Sequence, residues 1–89
     1  METYTFDFTF NEKKYSAEFV MYQAGNDVQF HLYNILPQDF DIKMPYIIFL
    51  KLETKNWNWP DDLIVFGLGK AITKGIYEKC IALNFFAGL

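Results

Sequence analysis

Residues 3–10 alternate without exception: Tyr4, Phe6, Phe8 and Phe10 share one parity, and Thr3, Thr5, Asp7 and Thr9 the other. On a helix, a period of two would scatter the four rings around the axis. In an extended strand it gathers them on one side, because successive side chains point to opposite faces. Four aromatic rings on one face must be covered, so this segment demands a sheet with a second layer packed against it.

The same pattern returns twice. Tyr15, Ala17, Phe19 and Met21 continue the apolar parity after a polar turn at 11–14, with Ser16, Glu18 and Tyr22 opposite; Val20 interrupts the polar parity. After Ala24-Gly25-Asn26-Asp27, whose residues tolerate positive φ, Val28, Phe30 and Leu32 alternate with Gln29, His31 and Tyr33. Three strands joined by short turns form an antiparallel meander. Pro37 stops the third strand, and residues 34–45 form a connection. Residues 46–53 read as a fourth strand. Its first half, Tyr46-Ile47-Ile48-Phe49, is apolar on both faces and is expected to be covered on both sides. Residues 54–59 read as a turn with two tryptophans.

Pro60-Asp61-Asp62 carries helix-opening chemistry: proline at the first helical position and carboxylates at the positive end of the dipole. Ile64, Leu68, Ala71, Ile72 and Ile76 then share one helical face, and Lys70, Thr73, Lys74 and Glu78 the other. The helix ends at Gly75 or runs to about Cys80; an early end would leave 76–86 for a fifth strand. The expected fold is therefore α+β, one small domain over 1–89. A four-stranded antiparallel sheet in the order β-β-β-β-α carries the C-terminal helix on its aromatic face, with the opposite face solvated. The almost uncharged stretch 81–89 is expected to tuck into the domain or into a partner subunit.

Composition narrows the function. The chain has 89 residues and a net charge of −3, and all eight basic residues are lysine. Nucleic-acid binding draws on clustered Lys and Arg, so the acidic balance and the absence of arginine argue against it. One cysteine, Cys80, excludes an intramolecular disulfide and suits a reducing compartment. Met1-Glu2-Thr3-Tyr4 lacks the basic-then-apolar layout of a signal peptide. The longest apolar run, 63–68, is far shorter than a bilayer span. A cytoplasmic protein is expected, without a membrane segment.

Gly67-Leu68-Gly69-Lys70 resembles a phosphate loop only superficially. The pattern needs a glycine where Ile64 stands and a Ser or Thr where Ala71 stands. Cys80, at the far end of the helix, reads as a buried structural thiol. On the outer sheet face, pairing Phe10 with Tyr15 and Phe19 with Phe30 would align Asp7, Glu18 and His31 in one row. That row could serve as an acid–base pair or a weak metal site, although no second histidine completes a usual transition-metal set. A Ser16–His31–Glu18 triad can be drawn but lacks an oxyanion hole. Trp57 and Trp59, spaced by two, fall on one side of an extended chain. With Tyr33 they are the candidate ligand- or partner-binding residues; the alternative is that at least one tryptophan plugs the core. The expectation is a non-enzymatic protein-interaction module without a cofactor, whose partner is a protein, with a second copy in a homodimer as the candidate. A small-ligand module at the tryptophan turn is the alternative.

Overall fold

A computed structural model describes residues 2–41, 44–60 and 67–85. Five strands form one antiparallel sheet in sequence order: β1 (Tyr4–Phe10), β2 (Lys13–Ala24), β3 (Asp27–Leu36), β4 (Tyr46–Lys51) and β5 (Asn56–Asn58). One helix, α1 (Gly69–Ala82), follows among the described residues. The α+β class and the helix-on-sheet arrangement match the sequence reading, and β5 is an addition to it. Lys55, at φ 57°, helps reverse the chain after β4, so that Trp57 pairs with Leu50 instead of lying in an open turn.

Face assignment follows the alternation. Phe6, Phe8, Tyr15, Ala17, Phe19, Val28, Phe30 and Leu32 are all buried, joined by Tyr46, Ile48 and Leu50 from β4. The rings interlock: Phe19 meets Phe6 and Phe30 edge to face at 5.7 and 5.5 Å, and Phe8 stacks on Tyr15 at 5.3 Å.

Both hairpin registers differ from the sequence reading by two residues. Phe10 pairs with Lys13 and Phe19 with Leu32, because the two-residue loops are Asn11-Glu12 and Gly25-Asn26. Asn11 and Glu12 both take positive φ, 50° and 64°, as a type I′ hairpin requires, and Gly25 takes 62° in the second. Farther along β3, Asn34 at φ 52° adds an extra residue opposite β2. This bulge inverts the parity, turning Ile35 into the core and Leu36 outward.

The helix start differs from the sequence reading, and its end follows the longer of the two readings. Gly67 has φ 70°, outside the helical region, so α1 begins at Gly69 rather than running unbroken from Pro60. The Asp61-Asp62 opening and Ile64 lie outside the described residues. At the other end the helix passes Gly75 and Cys80 and stops at Ala82, which removes the fifth strand considered at 76–86. Asn84 adopts φ 61°; its N–H donates to Ile81 O and that of Phe85 to Cys80 O, forming a Schellman cap. Phe85 then packs edge to face on Tyr4 at 5.0 Å, which brings this residue of the tail onto β1, while Ile81 and Leu83 stay exposed.

Ile72, Ile76 and Cys80 are fully buried on the inner stripe of α1, and Leu68 just before it. Gly75 sets the depth of the helix seat. A Cβ there would lie 2.7 Å from the Asp7 carbonyl oxygen and 2.9 Å from the Phe6 ring. The absence of a side chain lets the helix backbone approach β1 directly.

Candidate functional site

The slipped registers separate the outer-face row. Asp7 faces Ser16 and forms an exposed ion pair with Lys14 at 3.6 Å. Glu18 lies between Thr5 and Tyr33, and its carboxylate accepts a hydrogen bond from Asn34 Nδ2 at 3.2 Å. His31 lies between Val20 and Ile47. Its ring packs 4.5 Å from Tyr22, and its Nε2 donates to Gln29 Oε1 at 3.1 Å. The three residues share a face, as a slip of two preserves, but they occupy three different rows. The Ser16 triad is likewise not assembled: Ser16 and Val20, the residue opposite His31, are four positions apart on β2, roughly 13 Å. Among the described residues no group of three or more His, Cys, Asp or Glu side chains could hold a metal ion.

Trp57 and Trp59 share the inner side, as their spacing predicts, and both are half-buried. Trp57 stacks on Phe30 at 5.5 Å. Trp59 lies over Gly69, where a Cβ would come within 3.0 Å of its ring, and its indole N–H donates to Thr73 Oγ1. Both rings therefore pack on the sheet's inner face and against the helix start. Tyr33 projects from the outer face, so the structure does not bring it to the two tryptophans. Gly67-Leu68-Gly69-Lys70 stands at the start of α1 rather than inside it, with Gly69 covered by that indole.

One polar cluster carries no sequence signal. Asp39, in the connection after β3, accepts from Lys13 Nζ at 2.6 Å and from Tyr15 OH at 2.8 Å. The Lys13 hydrogen bond, then that of Tyr15, holds the Asp39 carboxyl below its ordinary range. Burial and the same carboxylate push the Tyr15 phenol up. Beside this clasp lies a concavity of about 480 Å³ lined in part by Asn34, Gln38, Asp39 and Phe40. Its carboxylate is already engaged, so the clasp fastens the connection onto the β1–β2 hairpin. Cys80 is fully buried, and desolvation pushes its thiol up to about 12, which suppresses the thiolate that nucleophilic or redox chemistry needs.

The larger departure from the sequence reading concerns the outer face itself. It is polar along β1, but across β2, β3 and β4 it carries Val20, Tyr22, Tyr33, Ile47 and Phe49. Tyr22 and Phe49 are each 39% exposed, and none of the five belongs to the core cluster or packs against it. The apolar outer parity of β4 was the available signal: it predicts cover on both sides, and the described residues bury only the inner one. A second apolar surface lies along the end of α1, where Tyr77, Ile81 and Leu83 are exposed. Comparison with protein-family models, with curated protein sequences and with solved structures finds no significant match to this chain.

Proposed function

We propose that this chain is a non-enzymatic interaction domain that binds protein, itself included, and works in the cytoplasm without cofactor, nucleic acid or membrane. The observation that carries the reading is the distribution of side chains. Apolar groups lie open on the outer sheet face and along the end of α1, while the polar groups that could do chemistry are spread apart. Exposed apolar area rimmed by polar residues is the usual mark of a protein-binding surface. Among the described residues no helix is long and apolar enough to cross a membrane.

The alternative is a small-ligand module at Trp57 and Trp59. It has less support, because both rings are engaged with Phe30, Gly69 and Thr73. The two readings separate in one pair of measurements: light scattering over a hundredfold range of concentration, and tryptophan fluorescence against sugars, nucleotides and metabolites. Mass that rises with concentration, with fluorescence unmoved, supports the interaction domain. A monomer throughout, with a saturable fluorescence change, overturns it in favour of the ligand module.

A further inference from the structure

We infer that the outer face of the sheet is the seat of a second copy of this chain, packed sheet to sheet; this rests on the interaction reading and names its partner and surface. The centre of the face is two adjacent cross-strand rows, Val20–His31–Ile47 and Tyr22–Gln29–Phe49. The His31 ring lies against Tyr22, so the one imidazole in the patch is part of its packed surface. Adjacent sheets in sandwiches bury this kind of surface, interleaving β-branched and aromatic side chains about 10 Å apart.

Area and charge both favour a second copy. Five strands at ~4.8 Å spacing and about six residues at ~3.3 Å give a face of roughly 480 Å² before side-chain relief. Two such faces together approach the roughly 1,000 Å² at which specific association becomes possible. Among the described residues the charges of the face nearly cancel, and Glu18, which stands inside it between Thr5 and Tyr33, has its carboxylate held by Asn34 Nδ2. Asp7, Glu18 and Asp27 stand against Lys14 and Lys51, with Asp7 paired to Lys14 and Asp27 directly opposite Lys51. That leaves −1 on this face of a chain whose net charge is −3. A surface shaped for a strongly basic or acidic partner would carry an excess of one sign. A near-neutral face can meet its own copy without like-charge repulsion, as an isologous interface requires.

The test is sedimentation velocity of the full chain over a hundredfold concentration range, beside the variants Ile47→Glu, Phe49→Asp and, on the other apolar surface, Ile81→Asp. The first two alter side chains outside the core cluster, and urea midpoints verify that each variant remains folded. The expected result is a species of twice the 10.5 kDa chain mass that dissociates on dilution. Dissociation should be eased on the order of 100-fold by Ile47→Glu and Phe49→Asp, since a buried unpaired carboxylate opposes association, and left unchanged by Ile81→Asp. Isotope-filtered NOEs in a mixed labelled sample should connect Val20 and Ile47 methyls of one copy to the outer face of the other. A dimer that survives Ile47→Glu and Phe49→Asp but is lost in Ile81→Asp overturns the inference while the interaction reading stands. A wild-type chain that stays monomeric throughout overturns the inference and removes self-association from that reading.

Discussion

Replacing Gly75 by alanine sets two effects of opposite sign against each other. In an exposed helix interior, Gly→Ala stabilises by about 1 kcal/mol through helix propensity. Here the added Cβ would stand 2.7 Å from the Asp7 carbonyl oxygen, 2.9 Å from Phe6 Cδ2 and 3.1 Å from Phe8 Cβ. The first neighbour is backbone in β1 and cannot rotate away, so the helix must lift by about 0.7 Å to reach an ordinary 3.4 Å contact. A lift of that size forfeits roughly a quarter to a half of each dispersion contact made by the fully buried Ile72, Ile76 and Cys80. Overpacking of this kind costs about 1–3 kcal/mol. Backbone contact places Gly75 toward the upper end, and the propensity gain offsets part of it. The net expectation is a loss of about 1–2 kcal/mol. With a urea m-value of about 1 kcal/mol/M for a domain this small, the midpoint should fall by roughly 1–2 M. Equilibrium urea unfolding followed by tryptophan fluorescence measures it. A midpoint that rises in Gly75→Ala would refute the reasoning, since propensity would then outweigh a contact too loose to matter.

Three further outcomes follow from the same geometry. Thr73→Val should cost about 1 kcal/mol by leaving the half-buried Trp59 indole N–H without its acceptor, and Trp59→Phe, which removes the donor but keeps a ring, should recover part of that loss in a double-mutant cycle by urea unfolding. Asp39 titrates below its ordinary carboxylate range when folded, so its contribution is complete above the unfolded carboxylate pKa and is lost as pH falls through the folded value; thermal scans from pH 6 to 2 should show a smaller acid-induced drop for Asp39→Asn than for wild type. Cys80, buried with its thiol pushed up to about 12, should resist a thiol-reactive dye at pH 8 in buffer and react within minutes in concentrated urea, and fast labelling of the native protein would contradict its placement.

Periodicity made the faces of this sheet legible. Tyr4, Phe6, Phe8, Phe19, Phe30 and Leu32 lie on the inner face because alternation fixes the side of each residue whatever the pairing. Rows were not legible, because turn length sets register, and Glu12 with φ 64° is no residue from which a type I′ loop is read. A slip of two leaves every face unchanged and rewrites every cross-strand neighbour. That is why Asp7, Glu18 and His31 keep their face and lose their row. The helix shows the same division. Its apolar stripe was visible in Ile72 and Ile76. Its start was not, since the capping chemistry of Pro60-Asp61-Asp62 lies well upstream of Gly69. The close approach of the helix to β1 at Gly75 was not legible either. Proximity of that kind is a tertiary fact with no local signature.

β4 carries the most functional information of any element, because its sequence and its surroundings disagree. A strand apolar on both parities is ordinarily found between two covering layers, as in sheets flanked on each side. Tyr46, Ile48 and Leu50 have their layer, while Ile47 is half-buried and Phe49 is 39% exposed. Intrinsic strand propensity does not require that pattern, since threonine would serve the outer parity of β4 as it does in β1. Solubility alone would favour such a replacement. The cost of keeping isoleucine and phenylalanine in water is offset when another surface covers them. Val20 and Tyr22 on β2 extend the same patch across His31 and Gln29, so the demand for cover belongs to a continuous surface. Ile47→Thr with Phe49→Thr is therefore expected to leave the urea-unfolding free energy of the single chain within about 0.5 kcal/mol of wild type while removing concentration-dependent association. If the same pair instead unfolds the chain, these side chains serve its own stability, and the argument from β4 to a partner fails.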